Sequence, residues 1–292
     1  MVGGVLVAIA VASCSLRDVS DLTRDTNARA DGDGGTGDDG GAPPTPPAGD
    51  GGCTLGPYAC AVLEAGPVLY LRFDEASVSE AVKDSSGRTS TALRYPPGTT
   101  VQVPGALEAE QPNVSARFTS GGRGIAMPPG LDFTDRAPFS VELWIAPEGT
   151  DPDGDGLSIV LDHQTYTPDR AGWALVFHPQ STSISFEFWN GGQPFFIAPS
   201  GDGAVPLAVW HHLVLASDGV LATTWVDGKV ATHGTVDPQS LPIVPEGWKI
   251  GSQNCGPCSN DYVGGIDELA IYARALDDGI VQRHYAAART RP

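Results

Sequence analysis

The chain has 292 residues, of which 41% are hydrophobic and 18% are charged, and its mean hydropathy is -0.09. The length allows one large β domain or two small ones, and the composition is typical of a soluble protein. The net charge of -18 argues against nucleic-acid binding, which needs a basic surface, but it permits cation binding. Five cysteines are an odd number, so at least one is unpaired or modified.

A short apolar run over residues 5–12 ends in Ser13-Cys14. Small residues before a cysteine resemble the lipobox of bacterial lipoproteins, and the run is too short to span a membrane. No Lys or Arg precedes this run, and this departs from the signal-peptide pattern. Two alternatives therefore stay open: the true start lies upstream, or the cysteine follows the apolar run by chance. We predict a signal peptide over residues 1–13, lipidation of Cys14, and, from Ser15, location at the outer membrane or cell surface.

Residues 14–52 have no hydrophobic period and are rich in Gly, Pro and Asp. Such a segment cannot bury enough apolar surface to offset the entropy of ordering it. We therefore predict a disordered acidic tether over residues 14–52, followed by one folded domain over residues 53–292.

Four cysteines remain if Cys14 is lipidated, and they allow three pairings. Cys53 and Cys60 bracket a short loop, and Cys255 and Cys258 form a Cys-Gly-Pro-Cys motif. Thioredoxin chemistry needs that motif at a helix N-terminus in a βαβ unit, whereas here it lies between two β runs. Sequence proximity favours two structural disulfides, Cys53–Cys60 and Cys255–Cys258, in an oxidising compartment.

Strands are predicted at residues 68–73 and at residues 139–145. In the second segment apolar side chains alternate with Glu142 and Trp144, so the apolar set is predicted to face the core. Glu142 and Trp144 then face outward, toward a ligand or beneath a loop, and we favour the loop.

Asp151, Asp153 and Asp155 alternate with Pro and Gly, which matches the start of an oxygen-rich calcium loop. Asp162 sits where an EF-hand would place its closing acid. However, residues 157–161 are predicted to form a strand, and the flanking helices are missing. A weak calcium site and an ordinary acidic hairpin loop are equally supported.

Residues 183–189 and 195–197 are predicted to form an aromatic hairpin around an Asn190-Gly191 turn. Most of its aromatic side chains are expected in the core. A Trp beside an Asn-Gly turn is also how sugar-binding loops present a stacking surface. Trp189 and Asn190 are therefore the candidate ligand-binding residues, although core or edge packing of Trp189 is the favoured alternative.

Residues 210–235 contain three β-rich runs separated by two Asp-Gly turns, which predicts an antiparallel meander. Both faces of the first two runs are apolar, so the sheet is predicted to be covered on both sides. His211 and His212 are adjacent on a strand, so they point to opposite faces and cannot bind one metal ion together.

Four motifs, in order over residues 58–288, resemble the laminin-G-like, concanavalin A-like jelly roll of bacterial surface proteins. They are residues 139–145, Trp210-His211-His212, Trp225-Val226-Asp227-Gly228-Lys229, and residues 264–276. The resemblance implies an all-β fold, a two-sheet antiparallel jelly-roll sandwich. Residues 277–288 are predicted to close it with a short amphipathic helix. The resemblance also implies a module that binds glycans or matrix polymers.

An enzyme is the less favoured function. Jelly-roll glucanases of related fold place Glu-x-Asp-x-x-Glu on one strand, and that spacing does not occur here. Glu187 stands alone in its strand, and Asp267 and Glu268 are adjacent, hence predicted to point to opposite faces. We expect a surface-tethered, non-catalytic module for carbohydrate or matrix polymer, with a module binding a surface or matrix protein as the alternative. Calcium is the one cofactor that the sequence suggests. Contact with a membrane is expected through the lipid alone.

Overall fold

The computed structural model describes residues 53–289, apart from residues 89–91, 128–129, 135, 150–155, 167, 237–243, 245–246 and 256–259. The helices over these residues are α1 (Pro57–Glu64) and α2 (Asp278–Arg289). The strands are β1 (Leu69–Leu71), β2 (Ala81–Val82), β3 (Leu93–Arg94), β4 (Thr100–Pro104), β5 (Val114–Phe118), β6 (Ile125–Ala126), β7 (Phe139–Pro147), β8 (Ser158–Thr165), β9 (Ala171–His178), β10 (Ser183–Asn190), β11 (Gln193–Pro199), β12 (His211–Ser217), β13 (Leu221–Val226), β14 (Lys229–Thr235), β15 (Lys249–Ile250) and β16 (Gly264–Tyr272).

Two antiparallel sheets form the body of the fold. Within the described residues, eight strands form the larger sheet in the order β14-β13-β12-β7-β16-β5-β4, with β1 also pairing to β16. Six strands form the other sheet in the order β11-β10-β9-β8-β15-β6. The predicted two-sheet jelly-roll architecture with a short C-terminal helix is confirmed.

The main hydrophobic core lies between the two sheets. The apolar residues of β7 that alternate with Glu142 all belong to it, as predicted, together with Trp173, Leu175 and Phe177 of β9 and Ile184, Phe186 and Phe188 of β10. Phe139 stacks on Phe133 with 4.6 Å between ring centroids. Each fully buried side chain of this size contributes roughly 1.5–3 kcal/mol of transfer free energy, so this face of each sheet determines how the sheets pair.

The second face of the eight-stranded sheet is covered by α1 and α2. Tyr58 and Val62 of α1, with Val281 of α2, pack on Trp144 and on the apolar side chains of neighbouring strands. The predicted packing of Trp144 beneath a loop is wrong, because helices cover it. Helix α1 has a Pro in its first turn but no side-chain cap at its N-terminus, so the capping signal of a helix start is missing from the sequence. Within the described ranges, neither helix has the length and apolar character needed to cross a membrane.

The predicted disulfide between Cys53 and Cys60 is present, with 5.6 Å between the two Cα atoms. Cys60 belongs to α1, so the bond links the segment before the helix to the helix itself, where a loop was predicted. Cys255 is also disulfide-bonded. Cys258 lies outside the described residues, and the pairing of these two cysteines stays a prediction.

The meander over residues 210–235 is confirmed as β12, β13 and β14, paired antiparallel. Asp227 and Gly228 have φ values of 52° and 72°, as a two-residue hairpin turn requires. His211 Nδ1 lies 2.9 Å from Asp227 Oδ2, and the ring of His212 contacts Glu142 instead. The two rings therefore have different partners, in agreement with the prediction that they point to opposite faces of the strand.

Candidate functional site

The outer face of the six-stranded sheet carries polar side chains on two strands with only small residues between them. The strand registers align Asp162, Ala174 and Glu187 in one cross-strand row, and Gln164, Gly172 and Trp189 in the next. Adjacent strands lie about 4.8 Å apart, so β8 and β10 are separated by roughly 10 Å. These six residues define a strip that we call the trough.

Gly172 keeps the floor of the trough low. Its φ is +117°, and a Cβ atom there would lie 2.1 Å from the carbonyl oxygen of His163. No side chain can therefore be added without moving the backbone of β8. With Ala174 as its neighbour in the floor, β9 places no long side chain between those of β8 and β10, and all six residues of the trough are buried.

Arg170 lies across the trough. Its Nε donates to Gln164 Oε1 at 3.0 Å, and its Nη2 lies 3.4 Å from Glu187 Oε2. Its Cζ is 3.8 Å from the centroid of the Trp189 ring, which is cation–π distance. One guanidinium thus contacts both polar strands and covers the aromatic ring.

Trp189 is packed against its neighbours, in agreement with the favoured alternative of core or edge packing. Its side chain is only 7% exposed, because Arg170 covers one face and the indole Nε1 donates to Glu187 Oε2 at 2.9 Å. Asn190 ends β10 beside the turn, where it is half-buried and paired in register with Gln193. The ligand-binding role of Trp189 and Asn190 remains a prediction, and as placed the ring presents no free stacking face.

Glu187 is held by a ladder of hydrogen bonds along β10. Ser185 Oγ donates to Glu187 Oε1 at 3.1 Å, and His178 Nε2 lies 2.7 Å from Ser185 Oγ. Burial lowers the pKa of His178, so this histidine is neutral near pH 7. The ladder orients the carboxylate of Glu187 over the trough.

Asp162, on the opposite wall, is fully buried. One of its oxygens accepts hydrogen bonds from the Asn254 N–H at 2.6 Å and from the Tyr166 hydroxyl at 2.8 Å. Burial raises the pKa of Asp162 to about 6. Its other oxygen, Oδ1, and the amide Nε2 of Gln164 are buried without a hydrogen-bond partner. Each such atom costs about 1–3 kcal/mol, so this wall is incomplete as it stands.

The calcium prediction is not addressed by these contacts. Asp151, Asp153 and Asp155 lie outside the described residues. In the part of the chain that the structure describes, no group of three His, Cys, Asp or Glu residues is arranged to hold a metal ion. The site at these three aspartates stays a prediction.

A laminin-G-type family model, described as the Concanavalin A-like lectin/glucanases superfamily, matches residues 119–282, more than half of the chain. The chain belongs to the concanavalin A-like lectin/glucanase superfamily. The match includes the whole trough and most of both sheets. A comparison with curated protein sequences gave no match.

Solved structures share this concanavalin A-like fold at low identity. The binding domain of Paraclostridial Mosquitocidal Protein 1 is 15% identical with a TM-score of 0.59, covering 77% of this chain and 53% of that one. The ligand binding domain of Botulinum neurotoxin serotype D, in complex with N-acetylneuraminic acid, is 10% identical with a TM-score of 0.57, covering 78% and 52%. The binding domain of serotype G is 12% identical with a TM-score of 0.57, covering 75% and 50%. The chain thus spans about half the length of these structures.

Glu142 forms a second polar cluster in the concanavalin A-like domain, buried beneath the helices. Its carboxylate accepts from the Tyr58 hydroxyl at 2.9 Å and the Tyr272 hydroxyl at 2.7 Å. His212 Nε2 lies 2.8 Å away and His284 Nδ1 lies 3.0 Å away. Burial disfavours the charged carboxylate, but the two histidines hold the pKa of Glu142 well below its usual range. The cluster joins both helices to the sheet and is closed to solvent, so its role is structural.

Asp267 and Glu268 are not on opposite faces, which corrects the sequence prediction. The register of β16 shifts between Asp267 and Ala270, and Glu268 has a φ of 53°. Glu268 accepts from the Tyr70 hydroxyl, and Asp267 accepts from the Ala106 N–H at 3.0 Å. Both donors belong to residues of the hydrophobic cluster beneath the helices. The bulge therefore turns both carboxylates to one face.

Arg72 connects this acidic pair to the surface. It contacts Glu268 at 3.2 Å and Asp74 at 3.1 Å, and it lines a cavity of about 330 Å³ together with Lys83 and Ser85. Carboxylates already bind the Arg72 guanidinium. This cavity therefore leaves a ligand fewer polar atoms without a hydrogen-bond partner than the trough does.

Proposed function

We propose that this chain is a surface-tethered, non-catalytic binding module for carbohydrate or a related extracellular polymer. The observation that carries this proposal is the trough, where an indole ring and a row of carboxylate and amide groups flank a floor of small residues. Aromatic rings bind the apolar face of a sugar, and fixed polar groups bind its hydroxyls. The trough holds both kinds of group on strands of one sheet, with the ring covered by Arg170 in this arrangement.

The structural relatives support a binding role by analogy only, since fold does not determine function. Those relatives are binding domains, and one of them is bound to N-acetylneuraminic acid. A module of this kind binds each site weakly and gains avidity from many copies on one surface.

Glu187→Gln is expected to weaken retention on a polysaccharide column at least tenfold, because a charge-assisted hydrogen bond to a sugar hydroxyl is lost. Affinity electrophoresis over a panel of immobilised polysaccharides measures this retention. Glu148→Gln is the control, because Glu148 pairs with Arg117 next to the other sheet. Trp189→Ala is a poorer test, since truncating a buried ring also destabilises the domain. A wild-type chain that retains no polysaccharide but captures one surface or matrix protein contradicts the proposal in favour of an adhesive module.

One observation favours a second function, glycoside hydrolysis. Asp162 and Glu187 face each other across the trough in one cross-strand row, although they are 25 residues apart in sequence. Glycosidases place two carboxylates on either side of the scissile bond, and the acid among them has a raised pKa. The test is whether the wild-type chain releases reducing ends from a polysaccharide. If it does, and if both Asp162→Asn and Glu187→Gln abolish the release, hydrolysis replaces binding as the proposed function.

We also propose that Cys14 carries the lipid and that residues 14–52 form the tether. Residues 1–52 lie outside the described residues, so this proposal rests on the sequence pattern. Cys14→Ser is expected to move the protein from the membrane to the soluble fraction of a bacterial host and to abolish palmitate labelling. The Cys53→Ser/Cys60→Ser double variant is the control, since it removes cysteines that are paired with each other. Unchanged labelling in Cys14→Ser is the contradicting outcome.

A further inference from the structure

We infer that the trough binds an uncharged oligosaccharide. Without the ligand, the side chains of Arg170 and Tyr166 fill the space that it would occupy and keep the trough closed. The ligand displaces both side chains when it binds. This inference rests on the proposed carbohydrate function and adds a gate and the charge class of the ligand to it. Three observations carry it: the position of Arg170, the orphaned polar atoms of Asp162 and Gln164, and the charges left when Arg170 moves away.

Arg170 makes the contacts that a bound sugar would make. Its planar guanidinium covers the Trp189 ring at 3.8 Å, and its edges contact Gln164 on one wall and Glu187 on the other. Arg170 precedes β9 and its side chain is 21% exposed, so the guanidinium has a path to solvent. A rotation of this side chain toward solvent uncovers the ring without moving the sheet.

Tyr166 occupies the other wall in the same way. Its hydroxyl lies 2.8 Å from Asp162 Oδ2 and 2.9 Å from Gln164 Oε1. The other polar atoms of the same two side chains, Asp162 Oδ1 and Gln164 Nε2, remain without partners although both side chains are fully buried. This acceptor and this donor belong to residues two positions apart on one face of β8, so the hydroxyls of a sugar can satisfy two atoms that the closed trough leaves unsatisfied.

The two gating side chains belong together. The guanidinium of Arg170 lies 5.7 Å from the centroid of the Tyr166 ring, and both residues lie on the connection between β8 and β9. Displacing Arg170 therefore removes a contact that also holds Tyr166. The two side chains are expected to leave the trough as a unit.

The charges around the trough select an uncharged ligand. Asp162 and Glu187 line its walls, and the exposed Asp169 lies beside Gly192 at its end. Arg170 and Lys249 are the cations that act on Asp162. Once Arg170 has left, carboxylates outnumber cations, and the chain as a whole carries a net charge of -18. An acidic sugar would be repelled, whereas neutral hydroxyls donate to the carboxylates.

The test is a calorimetric titration of the full chain with neutral oligosaccharides and with their uronic acid or sulfated counterparts. Arg170→Met is expected to bind the neutral probes roughly three- to thirty-fold more tightly than the wild type, because no cation–π contact has to be broken. Tyr166→Phe is expected to tighten binding in the same direction, and it serves as the main test if Arg170→Met does not give a cooperative melting curve. Arg117→Met, on the other sheet, is the matched control and should match the wild type.

The outcomes separate the gate from the proposed function. The gate is contradicted if Glu187→Gln weakens oligosaccharide binding and Arg170→Met leaves it unchanged or weakens it. In that case the proposed binding function still stands. Tighter binding of acidic than of neutral probes overturns the charge class. If neither the wild type nor the two gate variants bind any oligosaccharide, the proposed function fails, and the inference fails with it.

Discussion

Glu142→Gln is expected to lower the free energy of unfolding by about 3–5 kcal/mol, which is the cost of removing one member of a buried charged pair. The carboxylate is fully buried and has contacts from two histidines and two tyrosines. The pKa of His284, although lowered by burial, is raised overall by Glu142. The variant therefore leaves His284 either charged without a counter-ion or neutral within a network built for a charge.

The pH at which this loss is measured follows from the two pKa shifts. Glu142 has a lowered folded pKa, so its contribution is present above the unfolded value of 4.5 and is lost as pH falls through the folded value. His284 has a raised folded pKa, so its contribution is present below 6.5 and is lost as pH rises through the folded value. The full effect is therefore expected between pH 4.5 and 6.5.

Urea unfolding at pH 5.5 measures the effect. The matched control is Glu148→Gln, just after the same strand, where Glu148 and Arg117 have side chains 36% and 37% exposed. Such a surface pair contributes at most about 1 kcal/mol. Equal losses in the two variants would mean that the buried cluster does not join the helices to the sheet.

The second large effect is a pH dependence. Burial raises the pKa of Asp162 from 3.8 to about 6, so its proton is bound more tightly in the folded state. Folding is therefore favoured below pH 3.8, and this part of the stability is lost as pH rises through 6. A shift of this size corresponds to roughly 3 kcal/mol, and Asp162→Asn is expected to remove that part of the decline.

Chemical unfolding of the wild type and of Asp162→Asn at several pH values between 3.5 and 7.5 measures the two slopes. Asparagine keeps an acceptor for the Asn254 N–H and the Tyr166 hydroxyl, so the fold is preserved in the variant. Asp202→Asn is the control, since it makes the same substitution at an exposed position. A wild-type slope retained in Asp162→Asn would show that the carboxyl does not carry the shifted proton.

Much of the fold was predictable because its signals are local. Alternating apolar residues in β7, the Asp-Gly turns of the meander, and the amphipathic pattern of α2 each depend on residues a few positions apart. The Cys53–Cys60 disulfide was also predictable, because seven positions separate the two cysteines. The family resemblance followed from motifs of the same local kind, and the match over residues 119–282 confirms it.

The trough and the Glu142 cluster depend on which strands are neighbours, and local patterns do not contain that information. Glu187 stood alone in its strand, yet the register of β8, β9 and β10 places it opposite Asp162. Glu142 meets His212 and His284 at separations of 70 and 142 residues.

Local rules also failed where tertiary contacts override them. A bulge in β16 turns Asp267 and Glu268 to the same face, against the alternation expected of a regular strand. Local patterns left two placements open for Trp189, and the structure shows that Arg170 covers its ring. The sequence by itself determined the strands, the turns and the family, because these depend on residues close together along the chain. Only the tertiary structure decided which polar groups meet and which are buried, because sheet register and side-chain packing bring together residues that are far apart in sequence.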